Sequence, residues 1–311
     1  DTTVSGVLAD VRDRERIMPL FAAFKPDIVV HAAALKHVPY LEADWSEGIK
    51  TNIFGSVNVI DAAVAAGTRT FVMISTDKAI EPVSMLGATK RFAEIYAQSR
   101  DAELVAADSG IRLVAVRFGN VLGSAGSVVP KFKAQIARGG PVTVTSPEMI
   151  RYFMTIREAC DLVLTAATHA RASHAEAERA AVYVLKMGQP MRIMDMAERM
   201  IRLAGFEPGE DIEIVISGVR PGERLHEILF AHDEPMAETG LDGVMAAKPI
   251  FAGRARIETW LARLRAALQA NDQAAANAVL DEAIPDFSLR EQKRPDVPAQ
   301  RSAQPAAASQ P

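Results

Sequence analysis

Short, nearly unbroken apolar runs alternate with helical periodicity through the first half of the chain. "VSGVLADV" (4–11), "DIVVHAAA" (27–34), "TFVMIST" (70–76) and "RLVAVRF" (112–118) read as strands. Their continuous hydrophobicity predicts a parallel sheet covered on both faces. Residues 42–66 carry Ile49, Ile53, Val57, Ile60 and Val64 at spacings of four and three and stop at Gly67, the pattern of an amphipathic helix with a C′ glycine. The alternation predicts an α/β, doubly wound parallel sheet with right-handed crossovers. Ligands of such sheets sit at the carboxyl ends of the strands, so "HAAALKH", "STDK" and "FGNVLG" should face one crevice.

Past residue 122 the pattern changes, with turn signals in "GSAGSVVP", "RGGP" and "SPEM" between short elements. Residues 1–122 therefore read as a dinucleotide-type domain and 123–290 as mainly a smaller C-terminal substrate-binding lobe. Strands at 181–187 and 212–217 and helices near 156–170 and 193–204 belong to the second region, with the strands returning to the sheet. In "MRIMDMAERM", Ile193, Met196, Met200 and Leu203 at helical spacing predict core packing rather than a partner surface. Residues 291–311, rich in Pro, Ala, Gln and Ser without apolar periodicity, read as a disordered tail.

Charge and cysteine content narrow the function classes. The 311 residues carry 35 basic and 39 acidic side chains, so no global positive field holds nucleic acid or an anionic membrane. One cysteine, Cys160, excludes an internal disulfide framework and fits a reducing cytoplasm. Six scattered histidines show no metal-ligand spacing, and no metal is expected. Apolar runs are far shorter than the roughly 20 residues of a membrane helix.

The chemistry-bearing residues cluster at the strand ends. Asp10 in "ADVRD", with Val11 beside it, is placed to accept a hydrogen bond from an adenine amino group; a surface turn is the equal alternative. Ala32, Ala33 and Ala34 are small enough for a cofactor's ribose and pyrophosphate to approach the backbone, and Lys36 can reach a phosphate or ribose. His31 reads as a packed structural histidine. At the third strand end Asp77 is a candidate proton donor and Lys78 a candidate base. A lysine with pKa near 10.4 is a poor base at neutral pH, so Lys78 requires desolvation or nearby positive charge, which Lys90 would supply.

The series "GVLADVRD", "VVHAAALKHVP", "TNIFGSVNV", "FVMISTDKAIEP", "LGATKR", "VRFGNVLGSAGSVVPKF", "RYFMTI" and "GVRPGE" resembles, in order, the extended short-chain dehydrogenase/reductase superfamily. More closely it is similar to the polysaccharide-biosynthesis branch, the nucleoside-diphosphate-sugar 4,6-dehydratases acting on UDP-N-acetylglucosamine, over roughly residues 4–230. The resemblance implies a Rossmann-like sheet, a tightly bound and recycled NAD or NADP, a UDP-sugar substrate and a cytoplasmic homo-oligomer. It implies a Ser/Thr, Tyr, Lys triad in which Thr76 and Lys90 match while Leu86 stands at the tyrosine position. Members of this branch with methionine there are similar, and leucine is near-isosteric with methionine. By the same resemblance Asn120 serves the sugar or diphosphate, Arg220 the diphosphate and Glu223 the ribose hydroxyls, with Arg151 able to join them.

The implied chemistry is oxidation at C4, removal of the C5 proton by Lys78 while protonated Asp77 donates to the departing C6 hydroxyl, and reduction at C6 to a 4-keto-6-deoxy sugar. Lys90 holds the nicotinamide ribose. The alternatives are a UDP-sugar 4-epimerase, which wants the tyrosine, and a non-catalytic NAD(P)-binding regulator. The chain opens at Asp1 inside a predicted strand. A preceding βαβ unit of about 30 residues with the glycine-rich pyrophosphate loop is expected, as is an N-terminal membrane anchor by resemblance to the long members.

Overall fold

The protein is described by a computed structural model over residues 2–172, 181–185, 187–228, 234, 236–247, 252–285 and 287. The expected tail, 291–311, lies outside these residues. A six-stranded sheet organises the molecule. Strands β1 (Ile28–His31), β2 (Thr70–Ile74) and β3 (Arg112–Arg117) run parallel in that order, and Val182–Leu185 continues the parallel set beside β3. Val244–Ala247 and Met236–Glu238 close the far side antiparallel.

Side-chain alternation explains why the strand sequences are apolar throughout. Phe71, Met73, Leu113 and Ala115 point into one core with Ile49, Ile53, Ile60 and Phe92, whereas Val72, Val114 and Val116 point into another with Leu162, Ala166 and Ala170 of the helix Ile156–Ala172. Both faces of β2 and β3 are thus covered, the condition for the doubly wound arrangement. Two helices beyond the predicted set, Arg254–Ala270 and Gln273–Ala283, join the first core, where Trp260 meets Phe92 edge to face.

The predicted 42–66 helix is present in pieces. Val38–Ala43 and Trp45–Gly48 lead into a π-helical stretch, Ile49–Gly55, and then the α-helix Ser56–Ala65, with Gly67 at positive φ just beyond. The expected strand at 4–11 does not form among the described residues: Val4 and Leu8 are 89% and 94% exposed, and β1 pairs with β2 alone. A strand is held by its ladder partner, and this segment is held by side chains instead. Asn58 Nδ2 donates to the carbonyls of Val11 (3.0 Å) and Arg12 (3.2 Å).

A smaller cluster lies beyond the sheet. Phe132, Ile136, Val142, Val144, Met149, Ile193, Ala197, Ile201 and Ile212 pack together around the helices Val128–Ala137 and Ile193–Leu203. The strand Ile214–Ile216 pairs here with Val142–Val144, not with the main sheet as expected; only 182–185 of the two predicted strands returns. Met196 is buried and Met200 packs against the cluster, but Leu203, the last residue of the helix and on the same face, is 88% exposed, because burial along the helix ends at Ile201.

A buried ion network ties the strand ends to the long helix Met85–Ala106. Arg117, 1% exposed at the end of β3, donates from Nε (2.9 Å) and Nη2 (2.6 Å) to the Glu94 carboxylate and from Nη1 (2.5 Å) to Glu234. Ser75, just past β2, donates to Glu94 Oε1 at 2.5 Å, and Arg91 bridges Glu94 and Glu234. Burial raises the Glu94 pKa, and the Arg117 and Arg91 cations outweigh it to give a net lowering. Removing one partner strands the other charge away from water. Glu94→Ala is expected to lose ~3–5 kcal/mol of stability in denaturant titration; a loss within experimental error would show that the network is not a structural tie.

Candidate active site

Three strand ends meet at a cavity lined by Ala32, Ala34, Leu35, Lys36, Thr76, Lys78, Leu86, Lys90, Gly119 and Asn120. It opens into a second, lined by Asp77, Lys78, Asn120, Arg151, Gly222, Glu223 and Glu227, and a third with Lys131, Arg220 and Glu223. The convergence follows from parallel strands delivering their carboxyl ends to one edge.

Local packing sets the shape. Asn52 sits in the π-helical stretch and is fully buried. It accepts from the Leu35 backbone N–H (2.8 Å) and donates to the Leu35 carbonyl (3.0 Å) and Thr89 Oγ1 (3.1 Å), clamping the "AALK" loop beside Lys90. A π-bulge re-aims side chains and recurs at functional sites. Ser84 caps the helix Met85–Ala106 by accepting from Gly87 N–H at 3.1 Å. Gly87 is required by close approach: a Cβ there would lie 2.1 Å from the Lys78 carbonyl oxygen. Gly222 of "RPGE" has φ of +78° and packs against Val38, Glu42 and Ser84.

Asp77 and Lys78 occupy a 3₁₀ turn, Asp77–Ala79, capped by Thr76. Thr76 Oγ1 donates to Asp77 Oδ1 at 2.9 Å, and Lys78 Nζ donates to the same oxygen at 2.9 Å. Asp77 Oδ2 is buried with no hydrogen-bond partner among the described residues. Lys78 Nζ also pairs with Glu227 Oε1 at 2.7 Å. Glu227 is bound on its other sides by Arg151 Nε (3.1 Å) and by Asn120 Nδ2, which donates to Oε2 at 3.1 Å.

The electrostatics correct one expectation. Burial pulls the Lys78 pKa down, but the Asp77 and Glu227 carboxylates outweigh it and hold the ammonium above the ordinary lysine value. The expected role called for desolvation or nearby positive charge; the fold supplies the burial but sets two carboxylates, not a cation, beside the amine. Glu227 is pushed up to about 7, first by burial and then by the Asp77 carboxylate, against the pull of Lys78. Asp77 is lowered: burial raises it, and Lys78 with hydrogen bonds from its neighbours more than reverses that. Lys90 makes no ion pair among the described residues, and burial pulls it down to about 8, opposed by Glu94. His31 is buried, held neutral by burial to about 3, and shares a hydrogen bond with Ser56 at 3.0 Å.

The remaining predicted residues divide. Leu86 lines the first cavity at 5% exposure, and among the described residues no tyrosine does. Tyr96 is bonded to Asp61 and Tyr183 to His169, while Tyr40 is exposed. Ala33 lies outside the cavity lining, and Val11 packs against the first core, its Cγ2 2.7 Å from where a Gly55 Cβ would stand. Asp10 is exposed and ion-paired with Arg12 at 2.7 Å beside Lys36 and Tyr40. Arg151 is turned toward its own loop, donating to the carbonyls of Ile150, Leu225 and Arg224, rather than standing free for a diphosphate. Arg220 and Glu223 flank Lys131, whose pKa is lowered by burial and by Arg220. Glu227, Asn52, Lys131 and the Glu94 network were not singled out in the sequence. The one signal for Glu227 is a carboxylate four residues beyond Glu223 in "RPGERLHE".

The strand order, the crossovers and a polar cavity at the carboxyl edge define a Rossmann-like fold of the short-chain dehydrogenase/reductase kind. The pattern of the family described as "Polysaccharide biosynthesis protein" matches residues 1–249, and the chain belongs to that family. It is 51% identical over 228 residues to the capsular polysaccharide biosynthesis protein CapD of Staphylococcus aureus, covering 73% of this chain and 36% of CapD. It is 34% identical over 244 residues to a UDP-N-acetylglucosamine 4,6-dehydratase (inverting) of Campylobacter jejuni, covering 78% of this chain and 67% of that enzyme. The solved structure of Pen from Bacillus thuringiensis superposes with a TM-score of 0.69 at 34% identity, over 80% of this chain and 74% of that one. The chain thus spans little more than a third of CapD's length. No helix among the described residues is long and apolar enough to cross a membrane.

The Lys90 environment is directly measurable. Acetylation followed by mass spectrometry should show Lys90 half-reactive near pH 8; half-reaction near the ordinary 10.4 would mean that its burial is not maintained in solution. Because the folded value lies below the unfolded one, the unfolded chain binds more protons between these pH values. The Lys90 contribution to stability therefore rises with pH across that window.

Proposed function

We propose that this chain carries the catalytic centre of a nicotinamide-dependent nucleoside-diphosphate-sugar 4,6-dehydratase acting on UDP-N-acetylglucosamine in surface polysaccharide synthesis. The observation that carries the reading is the Asp77–Lys78 ion pair at the strand edge, lining one polar cavity with Asn120, Arg151 and Glu227. The 34% identity to a dehydratase of this name and the membership in the polysaccharide biosynthesis family support it.

The first cavity fits a nicotinamide cofactor. Ala32 and Ala34 leave the backbone open to a ribose or pyrophosphate, and Lys90, without an ion pair among the described residues, lines the same cavity within reach of the ribose hydroxyls. When bound, the cofactor supplies the oxidant at the sugar C4 and the reductant at C6. The chain's own residues handle protons. Asp77 takes the C4 hydroxyl proton and later gives it to the departing C6 hydroxyl, which leaves as water. Lys78 Nζ removes the C5 proton that the new C4 ketone has acidified. Leu86 fills the tyrosine position without titrating, so Asp77 and Lys78 carry the acid–base work. Lys131, Arg220 and Glu223 form the polar end of the adjoining cavity, suited to a diphosphate and ribose.

The test is proton NMR of the full-length protein with UDP-N-acetylglucosamine in D₂O. A new C6 methyl signal with deuterium at C5 is expected, and Lys78→Ala should lower its rate by roughly 10²–10⁴-fold. A wild-type protein that interconverts C4 epimers instead, with little loss in Lys78→Ala, would replace this reading by the epimerase.

A further inference from the structure

The dehydratase reading leaves one difficulty. Lys78 must be neutral to take a proton from carbon, yet its two nearest neighbours are carboxylates that favour the ammonium. One of the two, Asp77, is committed in that reading to the hydroxyl protons. The other has no assigned task. Its side chain is 5% exposed, its Oε1 lies 2.7 Å from Lys78 Nζ, Arg151 Nε and Asn120 Nδ2 are donors that fix it in place, and the Asp77 carboxyl lies against it.

Resting on the dehydratase reading, we propose that Glu227 is the proton acceptor that makes Lys78 a base: the proton passes from Lys78 Nζ to Glu227 Oε1, leaving a neutral amine beside a carboxylic acid. The step conserves atoms and charge, since an ion pair becomes a neutral pair. Substrate closing over the cavity removes water, and loss of water disfavours the two charges relative to the neutral pair. Lys78 then takes the C5 proton. When C5 is reprotonated by Lys78 as the product forms, Glu227 returns its proton to the amine, and the resting pair is restored. Glu227 acts through Lys78 and is in that sense a positioning residue, one that positions a proton.

The surroundings agree. The charged groups facing Glu227 are Lys78 and Asp77 from the turn after β2 and Arg151 from the strand Ile150–Arg151. Within its own segment Arg224 is turned away, toward the carbonyls of Ile80 and Glu81. The 2.7 Å separation of Oε1 and Nζ is a direct path for the proton, and burial with Asp77 brings the Glu227 carboxyl up to about 7, making it a better proton acceptor than an ordinary carboxylate.

The experiment compares wild type, Glu227→Gln and Glu227→Asp in the full-length protein, following C5 deuterium incorporation and kcat against pH. Glutamine keeps a carbonyl acceptor for Lys78 but cannot hold its proton. In the wild type, kcat should fall as pH drops through about 7, where Glu227 is already protonated and can accept nothing. Glu227→Gln should lose on the order of 10²-fold in kcat with little change in KM. Its acid limb should move to higher pH, since Lys78 must then lose its proton to water. Glu227→Asp should retain the wild-type profile at a reduced rate. An active wild type with Glu227→Gln unchanged in kcat, or lowered equally at every pH, overturns the proposal alone. A folded, cofactor-loaded wild type that leaves the sugar unchanged overturns the dehydratase reading and the proposal with it.

Discussion

Arg117 and Glu94 form the interaction on which the site geometry depends. A guanidinium at the end of β3 and a carboxylate midway along the helix Met85–Ala106 are both removed from water, and each is tolerable only because the other is there. Ser75 joins from the end of β2 and Arg91 from the helix. Two strand ends and one helix are thereby held in a single register. Thr76 and Asp77 follow Ser75 directly, and Lys90 lies one helical turn before Glu94, so the same network sets where the proposed acid–base residues and Lys90 stand. A hydrophobic contact could fill that space, but it would not dictate direction as a bidentate ion pair does.

The turn after β2 holds its residues in a chemically loaded arrangement. One lysine is shared by two carboxylates, and Asp77 Oδ2 is buried with no hydrogen-bond donor among the described residues. Such an arrangement is costly in isolation, and a buried polar atom left without a partner calls for a specific explanation, a catalytic role among them. The close approach of Gly87 to the Lys78 carbonyl and the Ser84 cap show how tightly the helix start and the turn are packed together. Replacement of a tyrosine by Leu86 is compatible with this packing because the position is a wall of the cavity and the titratable groups lie elsewhere.

Glu227 joins the cavity from a segment more than a hundred residues away in the chain. Arg151 explains how it arrives there. Its guanidinium gathers the carbonyls of Arg224 and Leu225 and pairs with Glu227, so it builds the loop that supplies the second carboxylate to Lys78. The π-helical stretch does similar work on the other side, turning Asn52 toward Leu35 and Thr89.

The sequence by itself determined the architecture of the sheet. Continuous apolar runs such as "FVMI" and "RLVAV" have both faces buried, and a parallel, doubly covered sheet is what satisfies that pattern. It also determined that "STDK", "AALK" and "FGN" share an edge, since parallel strands deliver their ends together. Family motifs made Asp77, Lys78, Lys90 and Asn120 legible one by one. The segment 4–11 looked like a strand because apolar periodicity does not record whether a ladder partner exists. The tertiary structure alone decided which charges meet. Glu94, Arg117 and Glu227 are ordinary polar letters in their local sequence, and their significance arises from long-range contacts that bring them out of water. Coulomb interactions and desolvation depend on distances across the fold, which local periodicity does not encode.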